Sequence, residues 1–281
     1  MHAVIVIPAH NEAAVIKRTL ETLLDGLSDQ TRVIVACNGC TDDTAEIARS
    51  FGERVEVHDI PESSKIAAIN HAEDGLEDFP RLYQDADVLL SGESAEKLIA
   101  LLRKPGVVSA EPIAHYDTSN CSFLARVFYR VWTALHCQDV GRIGCGVYSL
   151  TRESRARFGA FPPIIADDGY VRAHLGPDEI RQVDDASTVV FGPRTIRALI
   201  RAKARVRIGV NELQQQFPEL WSGRERVSQP FMSKVFRLSP LIWPQLPVYA
   251  VIQFAIRRRA SALSGTAQAK VWSRDDSRPA A

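Results

Sequence analysis

Two periodicities alternate along the first half of the chain. Residues 4–7 (Val-Ile-Val-Ile) and 33–36 (Val-Ile-Val-Ala) are apolar at every position. Short runs of this kind fit strands buried on both faces of a sheet. Between them, over 14–27, Val15, Ile16, Leu20, Leu23, Leu24 and Leu27 recur at helical spacing and predict an amphipathic helix. The same reading predicts strands over 54–58, 81–84 and 106–110 and helices over 64–76 and 93–103. A further helix opens at Thr41-Asp42-Asp43, as cap and acidic first turn, and runs toward Phe51-Gly52. Strand and helix in this alternation predict a parallel α/β sheet with right-handed crossovers. Ligands of such sheets sit beyond the carboxyl ends of the strands, so the loops of interest are 8–12, 37–43 and 85–87.

The second half is less regular. A helix is predicted over 119–135, a glycine-flanked strand over 144–150 and a short helix over 152–158. Asp167-Asp168 opens a helix through Leu175, a strand follows over 182–191, and Pro193 starts a long basic helix to about Gln216. No internal repeat is present, and the last dozen residues, ending Arg278-Pro279-Ala280-Ala281, are expected to be loosely ordered.

Composition narrows the class. With 281 residues, 46% hydrophobic and 24% charged, the chain has ample material for a core, which excludes wholesale disorder, collagen and coiled coil. Lys+Arg and Asp+Glu balance at 34 each, against a protein built to hold nucleic acid, so no nucleic-acid partner is expected. Five cysteines, an odd number, do not read as a disulfide framework. The N-terminus lacks the basic start and long apolar core of a secretory signal, and no stretch in 1–230 is apolar enough to span a bilayer. The expected compartment is the cytoplasm.

Two phosphate cradles are absent: no GxGxxG follows the first strand, and GxxxxGK[ST] occurs nowhere. The first strand runs instead into Val6-Ile7-Pro8-Ala9-His10-Asn11-Glu12. Then follow Asn38-Gly39-Cys40-Thr41-Asp42-Asp43-Thr44, Ser64-Lys65-Ile66-Ala67-Ala68-Ile69-Asn70 and Asp85-Ala86-Asp87. In this order, at the ends of the predicted elements, these motifs resemble those of a family-2 glycosyltransferase, over roughly residues 3–210.

The resemblance implies a GT-A fold: a Rossmann-like, mostly parallel sheet sandwiched by helices, here with a C-terminal helical extension. The expected division is a transferase domain over 1–222, with a nucleotide-binding half (1–112) and an acceptor half (113–222), followed by a helical extension over 223–281. It implies transfer of a sugar from a nucleoside diphosphate donor to a glycan or lipid-linked acceptor of the cell envelope. A diphosphate leaving group calls for Mg²⁺ or Mn²⁺, which select carboxylate oxygens. Asp87 is the implied direct metal ligand, with Asp85 nearer the ribose or a metal-bound water. Alone, Asp85 and Asp87 would read rather as caps of the turn before the next helix; the other motifs in order reverse that reading. Glu12 and Asn38 would flank the nucleobase; many relatives carry Asp where this chain has Asn38, which leaves the base open. Glu12 also reads as a first-turn carboxylate favoured by a helix dipole. Pro8 and Ala9 would supply backbone shape, and Lys65 would meet a phosphate or the ribose, unless it is simply solvated.

An inverting transfer needs a general base on the acceptor hydroxyl. The family places it in an acidic pair ahead of a helix; here the pair is Asp167-Asp168, with Asp168 as base and Asp167 as its support. Processive members carry QxxRW on the following helix, whereas this chain has Ala202-Lys203-Ala204-Arg205-Val206, which favours transfer of a single sugar. Arg205 would help neutralise the diphosphate, or belong to a solvated charge run. Cys37 and Cys40 have CxxC spacing, but they fall in the loop after the second strand and read as packed cysteines rather than a redox motif. Over 238–256 the chain is rich in Leu, Ile, Trp, Tyr and Val, is broken by Pro240, Pro244 and Pro247, and meets Arg257-Arg258-Arg259. This predicts either an interfacial helix from Val248 at the inner face of a membrane or a core helix on the catalytic domain. Two other functions fit the motifs: a retaining GT-A transferase, and a catalytically silent nucleotide-sugar-binding scaffold of a membrane assembly.

Overall fold

The computed structural model describes residues 2–136, 146–221 and 231–266. Its centre is a five-stranded sheet of order β3-β2-β1-β4-β7. The strands are β1 (Ala3–Ala9), β2 (Thr31–Asn38), β3 (Glu56–Ile60), β4 (Arg81–Gln84) and β7 (Val147–Leu150). The first four are parallel; β7 alone runs antiparallel, against β4. All seven residues of β1 are buried, as its uninterrupted apolar run requires. The connecting helices are α1 (Ile16–Leu24), α2 (Thr44–Arg49) and α3 (Lys65–Glu73).

A second, three-stranded sheet of order β5-β8-β6 stands beside the first. It comprises β5 (Val88–Leu90), β6 (Ser109–Asp117) and β8 (Ile180–Phe191), with α4 (Gly92–Leu102) packed on it. The strand predicted at 106–110 therefore begins later, at Ser109, and belongs to this second sheet rather than to the parallel one. It also crosses position 112, and β7 from the second half of the chain completes the first sheet.

The other helices are α5 (Phe123–His136), α6 (Arg152–Arg155), α7 (Asp167–His174), α8 (Ile196–Gln216), α9 (Pro218–Trp221), α10 (Phe231–Phe236) and α11 (Leu246–Leu263). A core of its own joins α5, α8 and α11: Phe128, Val131, Leu199, Ile208, Tyr249, Ile252 and Ile256 are buried together. Of the two readings of the C-terminal helix, packing on the protein is observed for one face of α11. Tyr249, Ile252, Ile256 and Ala260 of α11 point inward, while Val251 and Phe254 are 68% and 66% exposed. No helix among the described residues is long and apolar enough to cross a membrane. The expected boundary at 222–223, the first residues of the strand predicted at 144–150 and the order of the last dozen residues lie outside the described residues.

Candidate active site

The loops after β1 and β2 are tied to each other before any ligand is considered. Asn11 takes a positive φ of 54°, a conformation asparagine tolerates better than most residues. Its Oδ1 accepts from the Thr41 amide at 2.7 Å, and His10 Nδ1 donates to the Asn38 carbonyl at 2.6 Å. Asp42, rather than Asp43, does the work at the start of α2: it accepts from the Thr44 amide at 3.1 Å and from the Ala13 amide at 3.1 Å. The expected cap is thus shifted by one residue and also bridges the two loops. Gly39 has φ +55°, and a Cβ there would lie 2.9 Å from Ser63 Cβ, so no side chain fits.

This junction fixes the residues expected to meet a nucleobase. Glu12 is buried, and its amide donates to Thr44 Oγ1 at 2.8 Å. It lies four residues ahead of α1, so a first-turn position in that helix is ruled out. Pro8 and Ala9 are buried at the end of β1, where the Ala9 carbonyl accepts from Asn38 Nδ2 at 2.8 Å. They contribute backbone only. Asn38 is fully buried, and its Oδ1 has no hydrogen-bond partner. An orphaned buried acceptor is costly, and an N–H donor on a bound ligand would satisfy it. Cys37 is buried and Cys40 half-buried, both as free thiols. A hydrogen bond from Cys37 and another from the Asn11 amide lower the Cys40 thiol to about 6, while the same pairing and burial raise that of Cys37.

The acidic turn follows β4. Asp85 and Asp87 are half-buried on either side of Ala86, whose side chain enters the core and whose carbonyl accepts from Thr19 Oγ1 of α1 at 2.7 Å. The Asp85 amide donates to the Gly146 carbonyl at 2.8 Å. Gly146 itself has φ +72°, and a Cβ there would stand 2.5 Å from Val88 Cγ2 and 3.2 Å from Asp85 Oδ2. Ser91, not either aspartate, caps α4. The aspartates are therefore not spent on the helix.

Lys65, at the start of α3, joins this turn to the acidic pair. Its Nζ donates to Asp85 Oδ1 at 2.7 Å and to Asp167 Oδ1 at 2.9 Å. It is not a solvated lysine. Burial works to lower its pKa, but attraction to Asp167 and Asp85 and the two hydrogen bonds outweigh that and hold it raised. The second oxygen of Asp167 accepts from Tyr148 Oη at 3.0 Å. Both oxygens of Asp167 are thus engaged, and the residue is buried at the first turn of α7 without capping it. Asp168 accepts from the adjacent Gly169 amide at 2.7 Å. Burial and the neighbouring Asp167 raise its carboxyl to about 6, against the pull of Lys65. Arg205 of α8 completes the cluster. Burial lowers its pKa, Asp167 and Asp85 act in the opposite sense, and its Nε has no hydrogen-bond partner.

Sequence reasoning missed Tyr148, Thr19 and Gly146. No local motif marks Tyr148; it reaches Asp167 because β7 pairs with β4, which sets Tyr148 against Tyr83 with the rings stacked at 4.6 Å.

Among the described residues no group of three or more His, Cys, Asp or Glu forms a metal cage. The donor set is instead two carboxylates on one turn, with Asp85 within electrostatic reach of Arg205, whose Nε has no hydrogen-bond partner. That fits a hard divalent cation held by one or two carboxylates and completed by the phosphates of its substrate.

Carboxylates, a lysine and an arginine thus gather beyond the strand ends of a mostly parallel α/β sheet, where ligands of such sheets bind. Residues 4–136 match the family model of glycosyl transferase family 2. That match takes in just under half of the chain, which over this segment is similar to family-2 glycosyltransferases. The fold is similar to that of the mannosyltransferase PcManGT from Pyrobaculum calidifontis, solved with GDP-Man and Mn²⁺. That match has a TM-score of 0.61 at 20% identity and covers 95% of this chain and 79% of that one. It is also similar to glucosyl-3-phosphoglycerate synthase from Mycobacterium tuberculosis, solved with Mn²⁺, UDP-Glc and phosphoglyceric acid, with a TM-score of 0.52 at 22% identity, over 76% of this chain and 79% of that one. At these identities the two structures establish the GT-A fold. No curated protein sequence matches the chain.

Proposed function

We propose that the enzyme is a divalent-metal-dependent, inverting and non-processive transferase that moves one sugar from a nucleoside diphosphate to a hydroxyl of a cell-envelope glycan or glycolipid. The observation that carries this reading is the unequal treatment of the acidic pair. Asp167 is locked between Lys65 and Tyr148, whereas Asp168 keeps a carboxyl near 6, close to the value at which a general base is both deprotonated and still basic. In this reading Asp168 takes the proton of the acceptor hydroxyl as that oxygen attacks the anomeric carbon from the face opposite the diphosphate. Asp167 positions it. Asp87 would hold Mg²⁺ or Mn²⁺, with Asp85 set nearer the ribose or a metal-bound water because Lys65 occupies one of its oxygens. The metal, when bound, would neutralise charge developing on the leaving diphosphate. Arg205 would share that task through its orphaned Nε, and the Asn38 Oδ1 would accept an N–H of the base, with Glu12 beside it and Pro8 and Ala9 shaping the backbone. The absence of QxxRW supports single-sugar transfer. That both solved relatives were captured with Mn²⁺ and a nucleotide sugar supports the metal and the donor class.

A thermal-shift panel of nucleoside diphosphates and their sugars, with and without Mn²⁺, tests the donor site. Ligand at about 100 times its Kd stabilises the folded state by about 2.7 kcal/mol. The expected result is Mn²⁺-dependent stabilisation by at least one nucleoside diphosphate, lost in Asp87→Ala. Stabilisation that ignores Mn²⁺ and survives Asp87→Ala would sink the metal assignment.

A further inference from the structure

The helical layer of α5, α8, α10 and α11 carries a surface that the transfer reaction does not use. Every large hydrophobic side chain exposed among the described residues lies on it or on the 3-10 segment Pro240–Gln245 that packs against α5 and α11; none lies on the parallel sheet or its helices. Leu241 is 75% exposed, Phe236 and Phe123 69% each, and Trp243 45%. On α11 the inward positions 249, 252, 256 and 260 alternate with an outward face of Pro247, Val251 and Phe254, which ends in the exposed Arg257, Arg258 and Arg259. Residues 231–266 contain five Lys and Arg and no Asp or Glu, in a chain whose charges otherwise balance at 34 and 34.

We propose that this face docks on the surface of a membrane containing anionic lipid, with Leu241, Trp243, Val251 and Phe254 entering the interface and Arg257–Arg259 at the head groups. An apolar face that turns basic within one helix matches a leaflet, which offers acyl chains beneath a layer of negative charge. A second copy of the chain matches it poorly. A two-fold contact would set the same acid-free, basic surface against itself, and like charges repel across an interface. The placement deepens the proposed function, on which its purpose rests: α8 packs on α11 and also carries Arg205 toward Asp167 and Asp85, so a docked enzyme would hold its acceptor side next to lipid-held hydroxyls.

Co-sedimentation of the full chain with phosphatidylcholine vesicles, and with vesicles that also contain phosphatidylglycerol, tests this. Binding is expected to the anionic vesicles alone and to weaken as salt is raised. Val251→Ser with Phe254→Ser, and separately Arg257→Gln with Arg258→Gln, should each weaken it about tenfold, with the nucleoside diphosphate thermal shift unchanged. Wild-type protein that stays in the supernatant with anionic vesicles overturns the proposal, as do variants that bind like wild type. A wild-type dimer that becomes a monomer in Val251→Ser with Phe254→Ser would reassign the face to self-association. Donor binding is read separately, so failure at the membrane leaves the donor site standing, and the converse also holds.

Discussion

Two adjacent aspartates of the same chemistry come to differ because their neighbours differ. Lys65 and Tyr148 engage both oxygens of Asp167; Asp168 sits beside it with one amide to support it. A carboxyl raised from 3.8 to about 6 holds its proton more tightly in the folded chain than in the unfolded one. Stability therefore falls as pH rises from about 4 to 6 and stays reduced above. Asp168→Asn removes that cost. It should raise stability at pH 7 by about 1–3 kcal/mol and leave it unchanged near pH 3, as thermal unfolding at the two pH values will show. A variant less stable than wild type at pH 7 would contradict the assignment. Lys65→Met acts in the opposite sense. It leaves Asp85 and Asp167 without their shared cation and should destabilise the fold by about 2–4 kcal/mol. It should also move the acid limb of the pH–rate profile upward, because Asp168 loses the charge that holds its pKa down.

Elements are placed by interactions that no single segment reveals. Glu73, at the end of α3, accepts from Arg81 of β4 at 2.8 Å and from Arg155 of α6 at 2.7 Å, and also bonds Tyr83 Oη. This buried group clamps three elements behind the site. Burial alone would raise the Glu73 pKa, but its three partners hold it below the usual value, so its contribution is present above about pH 4.5 and is lost as pH falls through the depressed folded value. Glu73→Ala should cost about 3–5 kcal/mol in urea unfolding, because it strands the buried guanidinium of Arg81 and the half-buried one of Arg155. The alternation of buried strands and amphipathic helices was legible because each element carries its own period; β1, β2, α3 and β4 follow it closely. Sheet membership was not, since β6 resembles any other short apolar strand and joins β8 only through pairing some 70 residues away in sequence. β5, three residues long, is too short to show a period. At the site, Asp85, Asp87, Asp167 and Asp168 could be read from motif order. Tyr148 and the tie between His10 and the Asn38 carbonyl could not, because both depend on which strands lie side by side.

At the scale of the molecule, a balanced charge count hides a division of labour. Acids gather at the strand ends, around Asp85, Asp87, Asp167 and Asp168, while the helical layer behind α8 is basic and free of acids over 231–266. The acidic cleft suits a cation and a diphosphate, and the basic layer suits an anionic surface; α8 belongs to both. The central claim joins them through one proton transfer at Asp168. Its most direct measurement is release of nucleoside diphosphate from the donor that the thermal-shift panel identifies, with Mn²⁺ and an acceptor, for wild type and Asp168→Asn. The account predicts unchanged donor affinity and turnover lower by about 10²–10⁴. Turnover retained within a few-fold in Asp168→Asn, at equal donor affinity, would contradict it.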